Sequence, residues 1–434
     1  IQTGVAISFF VKRHKQKGCK IFYARRPEFD TAADKLSFLS SSKLSGLKFE
    51  RIEPDKKANW INLTENDWDE LIPVADKKTK AAKAKGQERA IFKLVSLGVA
   101  TNRDEWALDI ALDKLKQKGE FFQGVYNSHL NAPKYRKFSE FDLSIKWNSE
   151  LEHDARTGIE MKISENDFGH CQYRPFVNLF INYNPIIVHR FYVQKLIFPN
   201  AKYNENRSIN FYCINSERPL AALAGARVCD LGFLKQGNGG TFSLPIYRYT
   251  PSGERLDNIT DWGLRQFEKA YGKSKARPIG KEDIFHYVYG VLHDPVYRET
   301  YAINLKREFP RVPFYPDFWK WAGWGKRLMD LHIGYETVEP WPLTRVDVPD
   351  EKAREAGIAP KALLKADKDN GIIRLDSETT LSGIPKQVWD YKLGNRSGLE
   401  WILDQYKEKT PRDPTIREKF NTYRFADYKE KVVD

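Results

Sequence analysis

A chain of 434 residues with 41% hydrophobic and 13% aromatic content can bury two or three real cores, which excludes an intrinsically disordered protein. With 71 Lys+Arg against 58 Asp+Glu the formal net charge is +13, a surplus that favours a polyanionic partner, nucleic acid first among them, without proving one. The four cysteines (Cys19, Cys171, Cys213 and Cys229) form no CxxC pair and suit neither a zinc site nor a dense disulfide framework, so they read as reduced, buried thiols of a cytoplasmic protein.

The chain opens at Ile1 directly into Gly4-Val5-Ala6-Ile7-Ser8-Phe9-Phe10-Val11, which reads as a strand and suggests a piece of a longer polypeptide. That run is far too short to span a bilayer, and no signal peptide is visible. Lys15-Gln16-Lys17-Gly18 supplies a turn and residues 19–24 a return strand, predicting a hairpin over 1–25. Being apolar on both faces, its first strand suits the interior of an α/β sheet. Short elements with Trp60 and Trp68 follow. Lys77, Lys78, Lys80, Lys83 and Lys85 then crowd one Ala-rich segment, read either as a solvated linker or as a phosphate contact.

Residues 90–270 predict a β-rich region with a few helices. Its strands are placed at 91–95, 185–193, 209–214 and 242–249, with a glycine turn at Gln236-Gly237-Asn238-Gly239-Gly240. From 281 the pattern turns helical. Ile284, Phe285, Val288, Val291 and Leu292 share one face, Asp294-Pro295 restarts a second helix that Pro310 ends, and Asp317 caps a third holding Trp319, Trp321 and Trp324. These tryptophans read as core residues. Beyond 340 an α+β pattern places a strand at 372–375 and a helix at 399–406.

Motifs for chemistry fail one by one. Gly272-Lys273-Ser274 ends like a phosphate-binding loop, but position 267, where its first glycine belongs, is Phe. Glu160-Met161-Lys162 with Asp154 echoes a nuclease's metal-binding acids at a spacing that chance supplies in a chain with 30% charged residues. His286 and His293 read as hydrogen-bonded histidines, not as a metal site. Methyl transfer to a base amine needs an Asn/Asp-Pro-Pro-aromatic loop, and no Pro-Pro pair occurs.

Several stretches resemble the C-terminal region of Type ISP restriction–modification enzymes and related helicase–methylase fusions. Residues 4–12, Glu53-Pro54-Asp55 with Asn59-Trp60, and Tyr173-Arg174-Pro175-Phe176 contribute to the likeness. The distinctive runs are Ser96-Leu97-Gly98-Val99-Ala100-Thr101-Asn102-Arg103-Asp104-Glu105-Trp106 and Tyr289-Gly290-Val291-Leu292-His293-Asp294-Pro295-Val296-Tyr297-Arg298. Residues 310–314, 331–336, 381–385 and 401–406 complete the series in family order. The resemblance implies an α+β chain: terminal strands of an α/β methyltransferase sheet over 1–75, a β-rich target-recognition region over 76–275, and a helical and α+β remainder over 276–434. It implies a parent that methylates adenine N6, cleaves unmodified DNA, and uses S-adenosylmethionine, ATP and Mg. This chain alone is expected to hold no cofactor or metal and not to be an enzyme.

The function so implied is sequence-specific binding of double-stranded DNA beside the methyltransferase, translocase and nuclease domains of the same polypeptide. Arg suits guanine and Asn suits adenine, since each pairs bidentately with its base. Candidates are Asn102, Arg103 and Asp104 after the Gly98 turn, Arg174, Lys235 with Asn238, Lys12 and Arg13 at the hairpin tip, and Lys77, Lys78 and Lys80. For each a structural reading stands beside it: a helix N-terminus with an ion pair at 102–104, and plain surface charge elsewhere. A coupling module that never reads bases, a catalytic fragment, and RNA binding are the competing functions.

Overall fold

The computed structural model describes residues 6–15, 17–27, 30–54, 58, 60, 66–82, 87–133, 137–203, 205–214, 219–234 and 239–434. The fold is α+β, and it divides into two compact units, Ile1–Glu65 and Asn66–Asp434. In the first, Ile21–Tyr23 pairs antiparallel with Glu50–Ile52, in the register Ile21↔Ile52 and Tyr23↔Glu50. The partner is thus not the 5–11 run, whose described residues 6–11 form no strand. A strand exists only against an edge that takes its N–H and C=O groups. The helix Ala32–Ser41 starts at a capping box of Thr31 and Asp34. No described residue of this unit is buried, and Phe10 is 96% exposed.

Among its described residues the second unit carries three four-stranded sheets. The first has the order Val228–Cys229, Phe168–Arg174, Val177–Asn182, Leu108–Asp109; its first pair is parallel and the rest antiparallel. The second runs Ser96–Leu97, Phe242–Pro245, Ser208–Tyr212, Ala221–Gly225, all antiparallel. The third runs Thr344–Asp347, Thr379–Ser382, Ile372–Asp376, Ala362–Asp367. It packs with the helix Gly398–Gln405 over a core of Leu364, Ile373, Leu375, Leu381 and Leu403.

Two predicted strands are not strands. Residues 91–93 donate their backbone N–H groups to Pro73, Val74 and Asn258 carbonyls, so the buried run is satisfied loop by loop. At 185–193 the Asn184 side chain accepts from Ile186 N and its carbonyl from Val188 N, a turn that outcompetes the β-branched run. Residues 242–249 break after Pro245, which has no N–H to give, into Phe242–Pro245 and Tyr247–Tyr249.

The helical prediction holds with changes. Lys281–Leu292 is buried throughout 284–292 rather than on one face, because the second sheet covers one side and Phe318–Ile333 the other. The two helices touch backbone to backbone at Gly290 and Gly325; a Cβ on Gly325 would lie 1.9 Å from the His286 carbonyl oxygen. Asp294 caps Pro295–Thr300 as expected, but Tyr301 interrupts the helix before Ala302–Leu305. Pro310 then accepts from Val74 N, and Arg311–Val312 pairs with Ile72–Pro73. Trp68, Phe92, Phe211, Phe267, Phe285 and Met329 consequently share one core. No helix among the described residues is long and apolar enough to cross a membrane.

Candidate nucleic-acid interface

Residues 96–104 are the hub of the second unit. Leu97 pairs with Phe242, Gly98 N donates to Thr241 O, Val99 N to Cys229 O, and Leu231 N back to Val99 O. On the opposite side Ala100 and Arg190 exchange two backbone hydrogen bonds of 2.9 Å. One short segment therefore roots the loops at 101–104 and 189–193 and is bonded to Cys229, Leu231 and Thr241. Gly98 permits this: a Cβ there would lie 2.6 Å from the Asp230 carbonyl.

The 102–104 candidates separate by environment. Asn102 is exposed, in the left-handed region at φ 54°, and Lys146 Nζ donates to its carbonyl at 2.6 Å. Arg103 is only 4% exposed and donates to the Ile186 and Ile187 carbonyls at 3.1 and 2.9 Å. Burial draws its pKa down to about 10, still charged at neutral pH. Asp104 accepts from the Thr101 hydroxyl and opens the helix Asp104–Ala107. Glu105 of that helix takes the Arg412 and Asp413 N–H groups at 2.8 Å each, and Trp106 Nε1 donates to Asp413 at 2.7 Å.

Arg174 lies beside Asp104 through Tyr173, whose hydroxyl is 3.5 Å from the Asp104 carboxylate. Its guanidinium stacks 3.8 Å above the Tyr173 ring and donates to Asp230 at 2.7 Å. Burial opposes the Arg174 charge, yet Asp230, Tyr173 and Asp104 together more than offset it and the pKa rises. For Asp230 burial wins: its carboxyl is pushed up to about 6 although Arg174 and the Gly232 N–H pull it down. This ion pair, with the Gly232 N–H on the same carboxylate at 2.8 Å, fixes the chain at 230–232. Lys235 and Asn238 lie outside the described residues.

Lys77 and Lys78 are exposed on the short helix Lys77–Ala81, capped by Asp76. Lys80 of that helix is spent on the Val95 carbonyl at 2.8 Å, and Lys93 closes the segment on the Thr79 carbonyl at 2.8 Å and on that of Ala82. Lys12 and Arg13 are exposed on the first unit; Lys83 and Lys85 lie outside the described residues. The structure thus brings Asn102, Arg103, Asp104 and Arg174 together around the hub, and keeps Lys77, Lys78 and Lys80 on a separate element.

Three hub residues were not foreseen: Lys146, Arg190 and Tyr192. Arg190, its side chain 57% exposed, pairs with Glu150 at 3.3 Å, and Glu150 also holds His189 at 2.8 Å. The signal that could have exposed Arg190 and Tyr192 is Asn184-Pro185, which breaks the supposed strand into a loop.

Motifs tested in the sequence settle elsewhere. His293 sits between the Tyr289 and Ala222 carbonyls, 2.8 and 3.2 Å from its two ring nitrogens, and since burial draws its pKa down to about 3 its neutral ring donates to one of them. Glu160 pairs with Lys162 on the surface at 3.0 Å. No group of three or more His, Cys, Asp or Glu among the described residues is placed to hold a metal. Trp319 and Trp321 are half-buried while Trp324 is exposed, and Trp321, Trp324 and Leu328 line a 250 Å³ cleft with His293 and Asp294. Cys171, Cys213 and Cys229 are buried, but Cys19, also expected buried, is exposed, because no described part of the first unit encloses a core.

The family described as the Type ISP C-terminal specificity domain matches residues 90–434. Among solved structures, the chain is similar to the DrdV–DNA complex seen by cryoEM, at 46% identity and TM-score 0.87, over 96% of this chain and 41% of that one. It also superposes on the ATP-dependent Type ISP restriction–modification enzyme LlaBIII bound to DNA, at 22% identity and TM-score 0.72, over 89% of this chain and 24% of that one. A nuclease-deletion mutant of the Type ISP enzyme LlaGI with a DNA substrate mimic gives 24% and 0.71, over 92% of this chain and 36% of that one. These last two likenesses concern the fold alone. The chain thus spans less than half the length of each. No curated protein matched it.

Proposed function

The chain belongs to the Type ISP C-terminal specificity domain family, and from that premise we propose that it reads a DNA target sequence for a larger restriction–modification polypeptide. The observation that carries the reading is the 46% identity, over 96% of this chain, with a protein solved in complex with DNA. The hub supports it by gathering exposed Asn102, Lys146 and Arg190 at one root.

In this reading Lys and Arg side chains hold phosphates and set register, while loop side chains choose bases. Asn102, Lys235 and Asn238 are the proposed base readers, and Lys12, Arg13, Lys77 and Lys78 the proposed phosphate contacts. Arg103, Asp104, Arg174 and Lys80 hold the loops in place. The first unit is proposed to end a methyltransferase domain, which fits its uncovered apolar side chains. Adenine-N6 methylation, cleavage, ATP-driven translocation, and the use of S-adenosylmethionine, ATP and Mg belong to the proposed parent. The proposed location is the cytoplasm, where that parent's DNA lies.

The test is selection of duplexes from a random DNA pool by the 434-residue chain at moderate salt. One recovered motif is the expected result. Binding without any motif favours a coupling module, and no binding even in the parent polypeptide ends the proposal.

A further inference from the structure

The segment 146–150 runs beside the hub loops and ends on a charge pair that the foregoing roles leave unused. At its start Lys146 Nζ donates to the Asn102 carbonyl at 2.6 Å. At its end Glu150 lies in the first turn of the helix Ser149–Arg156, whose cap Asn148 accepts from Leu151 N at 2.8 Å. The two Glu150 oxygens face consecutive residues of the 189–193 loop. His189 Nδ1 donates to Oε2 at 2.8 Å, and Arg190 Nη2 lies 3.3 Å from Oε1. The buried Arg103 guanidinium feels the same charge, which supports its own against the larger effect of burial. Two guanidinium groups and an imidazole N–H thus converge on one carboxylate, and among the described residues no other acid is paired with them. The backbone on both sides is fixed, by the Asn148 cap and by the two hydrogen bonds between Arg190 and Ala100. The side chains of the pair stay open to water, Arg190 at 57% and Glu150 at 47% exposure, so their rotation alone can part them.

We propose that His189 and Arg190 form a phosphodiester site for the bound duplex, which Glu150 occupies in the free chain and leaves when a phosphate arrives. A phosphodiester presents what the carboxylate presents, two anionic oxygens for two N–H donors. An ion pair this exposed adds little to stability, so exchanging one anion for another disturbs the fold little. Duplex DNA is favoured over an acidic protein surface because the same segment reaches Asn102, the proposed base reader. A side chain that reads a base edge in a groove about 12 Å wide has phosphates on both flanks. The inference rests on the DNA-reading function proposed above.

The experiment titrates the 434-residue chain, in a salt series, against a duplex it selects and one of scrambled sequence. E150Q keeps the shape of the side chain and removes its charge. It should bind both duplexes about 2- to 5-fold tighter, the worth of an exposed pair that no longer has to break. E150Q/R190A should lose that gain, and its slope of log affinity against log salt should fall below that of E150Q by up to about 0.9, one phosphate being no longer neutralised. The loss should be alike for the two duplexes, because a phosphate contact carries no sequence information. Melting midpoints of both variants should stay within about 2 °C of the unaltered chain, as expected for an exposed pair. E150Q binding no tighter than the unaltered chain overturns the inference. So does a gain that survives in E150Q/R190A, which would be general charge repulsion, or a loss confined to the selected duplex, which would make Arg190 a base reader. A lowered midpoint in E150Q overturns it as well, by giving the pair a structural task. Failure of the unaltered chain to bind any duplex overturns the DNA-reading function itself.

Discussion

Arg174 shows how little a residue's type says about its task. From the sequence it is an arginine in a polar run, suited to guanine; in the fold its guanidinium is committed to Asp230 and to the Tyr173 ring and carbonyl. R174M removes the partner of a buried carboxylate, which costs about 3–5 kcal/mol. The sign of its pH dependence follows from Asp230, whose folded pKa is already above the ordinary carboxylate value, at about 6. Without Arg174 it rises further, so the folded state takes up a proton more readily and the deficit shrinks as pH falls through that range. Thermal melts at pH 8 and pH 5 should show a clearly smaller gap from the unaltered chain at pH 5; equal gaps would contradict the assignment. The lysines at 77–80 divide the same way. K77A with K78A should lower the salt slope by up to about 0.9 for each phosphate no longer neutralised and leave the melting midpoint alone. K80M, which frees the Val95 carbonyl, should cost about 1 kcal/mol in stability and leave the slope unchanged. Titrations in a salt series, paired with melts, separate the two sets. Sequence alone could not, because whether a cation is free depends on carbonyls that the fold brings up: Val95 to Lys80, and Ile186 and Ile187 to Arg103.

Among the elements, legibility followed the strength of local chemistry. The helices at Lys281–Leu292, Pro295–Thr300 and Phe318–Ile333 were readable because apolar spacing and caps agree: Asp294 before Pro295, and Asp317 accepting from Lys320 N. Short apolar runs were not. Residues 91–95 and 185–193 have strand composition, and whether such a run finds an edge is decided by partners far away in sequence. The contact between Lys281–Leu292 and Phe318–Ile333 was also hidden, since a glycine in a helix gives no sign of what lies against it. G325A tests that contact: the new methyl would fall on the His286 carbonyl, so the helices must part and the core around Ile284 and Val288 loosen. Overpacking of this kind costs about 1–3 kcal/mol or more. G323A, whose Cβ meets nothing within 4 Å, should be neutral or slightly stabilising. Chemical denaturation of both variants measures the difference, and an equal effect at the two sites would refute the close approach.

At the scale of the whole chain, the two units differ in what holds them. Asn66–Asp434 closes its own cores, whereas none of the described residues in Ile1–Glu65 is buried, and Ile7, Phe9, Phe10, Leu36 and Leu39 stand in solvent. Apolar side chains left open in this way attract a covering surface. A chain of residues 66–434 should therefore melt cooperatively within about 2 °C of the 434-residue chain, a shift worth about 1.5 kcal/mol in a unit of this size. It should also bind much less of a fluorescent apolar dye. The same comparison places Lys12 and Arg13. Among the described residues neither makes an ion pair, so their charges remain available to phosphate. If both make contact, truncation should lower the salt slope for a selected duplex by about 2. An unchanged slope would confine the interface to the hub and to Lys77 and Lys78. A large loss of cooperativity would mean instead that the first unit helps hold the second together.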